Sequence, residues 1–115
     1  MKKRLIIVLA IVAAVAGAAI AVPAFAATKT VKVGPKTSFG PKSLSIKSGD
    51  TVRFRWTGSL PHDVVITKGP GIRRKKTISR VRTRGIVSKK FNTKGTYSIL
   101  CQVHAPTMKM TIKVT

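Results

Sequence analysis

Beyond residue 26 the apolar residues of this chain fall at every second position in short runs, and glycine or proline interrupts the chain between runs. Alternation puts successive side chains on opposite faces, so each run buries one face and wets the other only as a β-strand. Val31 and Val33 flank Lys32, Leu44 and Ile46 flank Ser45, and Val52, Phe54 and Trp56 alternate with Arg53 and Arg55. Val64, Val65 and Ile66 form a denser β-branched run. Tyr97, Ile99 and Cys101 share one face, and Met108 to Val114 alternates throughout. Gly49-Asp50, between the second and third runs, is a hairpin-like turn signal. No stretch of this part has a 3.6-residue period. The pattern predicts an all-β fold, an antiparallel sandwich of about seven strands.

The first 26 residues belong to a different category. Lys2, Lys3 and Arg4 precede an apolar stretch from Leu5 to Val22, and Ala24-Phe25-Ala26 supplies the small residues of a cleavage site. This is an export signal, residues 1–26, cleaved after Ala26 to leave a single domain of residues 27–115. The competing reading is an uncleaved anchor, since about 18 apolar residues nearly span a bilayer. The sole cysteine is Cys101, so no lipid-modified cysteine stands at the boundary. The expected location is extracytoplasmic: periplasm, cell envelope or secreted.

Composition then narrows the chemistry. The chain carries 23 Lys and Arg against 2 acids, a net charge of +21, of which +18 remains once the three leader charges are removed. A hydrophobic share of 43% still allows a core, which argues against disorder. With Asp50 and Asp63 as the only carboxylates, acid/base enzymes built on paired carboxylates are disfavoured, and one cysteine makes no internal disulfide. A domain this small commonly needs a staple, and a metal is the one left open. From Arg73 to Arg84 seven basic residues occur without an acid, which predicts a solvated loop or an edge strand.

The residues able to bind a transition metal are few. His62 follows Leu60-Pro61 just before a strand; Cys101 ends a strand, His104 lies three residues on, and Met108 stands at the start of the last strand. Taken singly, a buried Cys, a surface His and a core Met are the commoner readings. Together they are the only Cys and both His of the chain. One thiolate, two imidazoles and one thioether form the ligand set of a blue-copper centre, two His and one Cys in a plane with a weak axial Met. Soft sulfur suits Cu(I) and imidazole suits both oxidation states, so the expected cofactor is one copper cycling between Cu(I) and Cu(II).

At these residues the chain resembles the cupredoxin family, in its small plastocyanin-like and amicyanin-like branch. The resemblance rests on Lys47-Ser48-Gly49-Asp50-Thr51-Val52, on Leu60-Pro61-His62-Asp63-Val64-Val65, and on Gly95-Thr96-Tyr97-Ser98-Ile99-Leu100-Cys101-Gln102-Val103-His104 followed by Met108. It implies a Greek-key sandwich with copper near one end, held by His62 from one loop and by Cys101, His104 and Met108 from another. It also implies that Asp63 ties the two ligand loops together by hydrogen bonds. Met108 and Met110 share a face and lie about 6.6 Å apart along a strand, so both cannot approach one metal. The chain from His104 reaches Met108 first, which makes Met108 the expected axial ligand and Met110 core.

The function that follows is a one-electron carrier between redox partners, not an enzyme. The alternative is an envelope protein that delivers or buffers copper without fast electron transfer. The charge predicts an acidic redox partner, with an anionic envelope surface as a further candidate, and the protein is expected to be a monomer. Specific nucleic-acid binding is not expected, because aromatic residues are few and Phe54 and Trp56 fit the buried face of a strand.

Overall fold

A computed structural model describes residues 25–115, in which nine strands and no helix are found. Of the expected export signal, residues 1–24 lie outside the described residues, and of its cleavage motif only Phe25 and Ala26 lie within them. The strands are β1 (Thr28–Val33), β2 (Phe39–Gly40), β3 (Ser43–Ile46), β4 (Thr51–Trp56), β5 (His62–Lys68), β6 (Lys76–Arg82), β7 (Ile86–Lys90), β8 (Gly95–Leu100) and β9 (Lys109–Val114). They form two sheets, in the orders β2-β1-β4-β7 and β3-β9-β8-β5-β6.

The alternating residues meet between the sheets. Val31, Val33, Val52, Phe54 and Trp56 from the first sheet pack with Val64, Ile66, Tyr97, Ile99, Met110 and Ile112 from the second. Arg53, Arg55, Lys109, Thr111 and Lys113 face outward between them, the arrangement the two-residue period requires. The all-β sandwich expected from the sequence is therefore what the chain forms. Its strands number nine rather than about seven, one of them the two-residue β2.

Two pairings depart from a purely antiparallel scheme: β1 runs parallel to β4, and β3 parallel to β9. The Gly49-Asp50 signal marks a real turn, with Asp50 N donating to Lys47 O at 3.0 Å and Gly49 at φ +96°. It does not make a hairpin, because β3 and β4 belong to different sheets. A dipeptide fixes local backbone angles; which strand lies alongside is decided by packing over longer range. The carboxylate of Asp50 holds this crossover by accepting from Ala27 N at 2.8 Å and Lys47 N at 2.9 Å. Those two N–H groups, Ala27 first, hold its pKa below the ordinary carboxylate value.

The basic run lies where like charges are tolerated. Arg73 to Lys75 belong to a connection, and Lys76 to Arg82 form β6, an edge strand.

Candidate metal centre

The start of β5 and the end of β8 bring His62 and Cys101 together at one end of the sandwich, where β4 ends in Trp56. His62 opens β5 and is fully buried, because that strand is covered on both faces from His62 to Ile66. The indole Nε1 of Trp56, at the end of β4, donates to the carbonyl of His62 at 3.0 Å and fixes the backbone there. Cys101 follows the last residue of β8 and is also fully buried, while His104, in the turn beyond, is half-buried.

Three donor atoms converge. His62 Nδ1 lies 3.2 Å from His104 Nδ1, Cys101 Sγ lies 3.9 Å from the first and 3.7 Å from the second. The point in their plane equidistant from all three is about 2.1 Å from each, close to the roughly 2.0–2.3 Å of metal bonds to nitrogen and sulfur. One cation satisfies them together, so the residues present fit a bound metal. Burial, and then the neighbouring His104, lower the pKa of His62, with Asp63 opposing, which favours the neutral ring that has a lone pair to offer.

The other side of the His62 ring is closed by Gly34. A Cβ there would sit 2.5 Å from the carbonyl of Thr57 and 3.3 Å from His62 Nε2, and Gly34 has φ +97°. Both features exclude a side chain. No pattern in the sequence ties this glycine to a histidine 28 residues away.

Met108 is fully buried immediately before β9. Its carbonyl accepts from Cys101 N at 2.9 Å and its own N–H donates to His104 O at 3.2 Å. It is thus the direct neighbour of Cys101 across the strand pair, and it closes the turn that carries His104. Met110 pairs instead with Ile99 in the β8–β9 register and is buried within the core.

Asp63, beside His62, is hydrogen-bonded to Gln102, beside Cys101. Its Oδ1 accepts from Gln102 N at 2.6 Å. With the Gln102 amide oriented to suit its neighbours, Nε2 of that side chain donates to Asp63 Oδ2 at 2.9 Å and its oxygen accepts from Lys75 Nζ at 3.1 Å. Lys75, read from sequence only as part of a charge run, is therefore anchored to the residue beside Cys101.

The comparisons agree with this geometry. Residues 26–115 match a family model described as copper binding proteins, plastocyanin/azurin family. The chain is 35% identical over 113 residues to plastocyanin of Prochlorothrix hollandica, covering 90% of this chain and 86% of the relative. It is 36% identical over 84 residues to amicyanin-alpha of Methylorubrum extorquens, covering 73% of this chain and 69% of that one. Among solved structures it is similar to a reduced amicyanin variant, with a TM-score of 0.67 and 25% identity over 76% of this chain and 82% of the other. Copper is accordingly the cofactor for which these donors are arranged, and the chain belongs to the plastocyanin/azurin family of copper-binding proteins, the cupredoxins.

Proposed function

We propose that this protein is an exported one-electron carrier that holds a single copper between His62 Nδ1, Cys101 Sγ and His104 Nδ1, with Met108 as the weak axial ligand. The observation that carries the reading is the convergence of those three donor atoms in a buried setting, with a thioether residue beside the thiolate. When bound there, copper supplies a one-electron couple between Cu(II) and Cu(I). The residues do the rest. A soft thiolate and two imidazoles serve both oxidation states, and the hydrogen bonds from Trp56 to His62 and from Gln102 to Asp63 hold the donors still. A frame that does not move between states lowers the reorganisation that transfer requires.

Electrons enter or leave at the half-buried His104. Exposed Val103 stands next to it, and exposed Leu60 lies two residues before His62. Both acids of the chain are engaged in backbone hydrogen bonds within the fold, so the basic surface is unopposed and favours an acidic redox partner. Export fits the way the domain begins. Among the described residues Ala27 is the first with a hydrogen bond to the rest of the domain, through its N–H to Asp50 and its carbonyl to Thr51 N, while Phe25 is exposed. Removal of residues 1–26 would take away nothing that these bonds use.

The test is to produce residues 27–115, add Cu(II), and combine a visible spectrum with a redox titration. An intense blue band that bleaches and returns reversibly, and that Cys101→Ser abolishes, is expected. A colourless Cu(II) complex, or copper lost to solution on each reduction, sinks the carrier reading. The mass of the protein recovered from its native envelope should begin at Ala27; a mass that includes residues 1–26 makes the leader an anchor.

A further inference from the structure

One cation is held beside the metal site without a counter-charge. Arg82 ends β6, and its Cα pairs with that of His62 across the β5–β6 ladder. Its guanidinium lies over the ring of Trp56, 5.5 Å from Cζ to the centroid, and its Nε is buried with no hydrogen-bond partner among the described residues. The same Trp56 donates its indole N–H to the carbonyl of His62. Arg82, Trp56 and His62 are therefore one packed unit. Of the two acids, Asp63 is bound to Gln102, and Asp50 stands just before β4, six residues or about 20 Å of strand from Trp56. A partly desolvated guanidinium with an unpaired N–H is unfavourable unless something compensates, and stacking on tryptophan is a partial compensation.

We infer that Arg82 raises the reduction potential of the copper site by holding a fixed positive charge against it through Trp56. The inference rests on the carrier reading above. Reduction takes one electron from an external donor and converts Cu(II) to Cu(I), which lowers the site's charge by one. A nearby cation repels the oxidised form more than the reduced form, so it favours the electron-accepting direction. A charge fixed by stacking and partly shielded from solvent acts at all ionic strengths of interest, unlike the mobile lysines of the surface.

The experiment is a redox titration of the copper-loaded wild type, Arg82→Gln and Arg82→Lys. For unit charges roughly 10 Å apart at an effective dielectric constant of about 25–50, R82Q should shift the Cu(I) to Cu(II) ratio about three- to tenfold toward Cu(II) at fixed potential. At about 59 mV per tenfold for one electron, that is a fall of about 30–60 mV. R82K should keep the wild-type potential to within about twofold in that ratio, because it keeps the charge. The blue band should not move in either variant. Trp56 is the chain's only tryptophan, so a changed emission of the copper-free R82Q protein reports loss of the stacked guanidinium without any metal.

An unshifted potential in R82Q overturns the inference, as does a displaced blue band, which would make Arg82 a structural support. If R82Q does not fold, R82K decides: a fall of tenfold in the ratio despite the retained charge overturns the proposal. A wild type that forms no blue site would instead overturn the carrier reading itself.

Discussion

Replacing Asp63 by alanine should loosen the copper end of the protein while leaving the sandwich folded. The carboxylate is 5% exposed and takes two hydrogen bonds from Gln102, one from the backbone at 2.6 Å and one from the side chain at 2.9 Å. Hydrogen bonds to a charged partner contribute about 1.5–3 kcal/mol each in favourable settings, but Gln102 is itself exposed, so water replaces part of what is lost. We expect a net loss of about 2 kcal/mol for Asp63→Ala in the copper-free domain. With a urea slope of about 1–1.5 kcal/mol per M for a chain this short, the unfolding midpoint falls by about 1.5–2 M. Asp63→Asn retains an oxygen that accepts from the Gln102 N–H and should lose less than about 1 kcal/mol. Because Gln102 follows Cys101 directly, the alanine variant should also bind copper about 10- to 100-fold more weakly, read by competition with a chelator of known affinity. Equal losses for alanine and asparagine would refute the argument that a positioned acceptor, rather than a charge, ties the loops. A loss below about 0.5 kcal/mol in both would refute the tie altogether.

The remaining expectations concern the axial ligand, acid stability and association. Met108→Leu should keep the blue colour and shift the potential, whereas Met110→Leu, which pairs with Ile99 in the core, should change stability by less than about 1.5 kcal/mol and the potential hardly at all; the reverse pattern means the wrong methionine is assigned. Asp50 has its pKa lowered from 3.8 by the N–H groups of Ala27 and Lys47, so its stabilisation is full above that value and is lost as pH falls through the lower folded value. The urea midpoint of the wild type should therefore exceed that of Asp50→Ala at pH 7 by more than it does at pH 3, and a gap that does not narrow in acid refutes this. Replacing Arg73, Arg74, Lys75 and Lys76 by serine should slow electron transfer to an acidic partner at low salt without altering the blue band, and salt-insensitive, unchanged rates reject the basic run as the contact.

The fold class was legible because burial follows the two-residue period closely. Val31 and Val33, Val52 to Trp56 by alternate residues, and Tyr97, Ile99 and Cys101 are all buried as their spacing requires. Strand neighbours were not legible. Gly49-Asp50 turns the chain as expected yet delivers it to the opposite sheet, and the parallel contact of β1 with β4 joins segments 23 residues apart. The candidate ligands could be read because Cys and His are rare in this chain and fall in one pattern. The groups around them could not, because they are common types whose surroundings are made by register. Gly34 meets His62, Lys75 meets Gln102, and Arg82 meets Trp56 only after the sheets have closed. The last contact depends on the irregular β5–β6 pairing, whose register shifts on either side of Val64 bring Arg82 opposite His62. Continued without those two shifts, the register that pairs Val65 with Thr77 and Ile66 with Lys76 would bring Arg80 opposite His62 and leave Arg82 beyond the ligand. Which arginine of β6 stands opposite His62 is thus a property of the irregular pairing of an edge strand, and no reading of residue types along the chain could have located it.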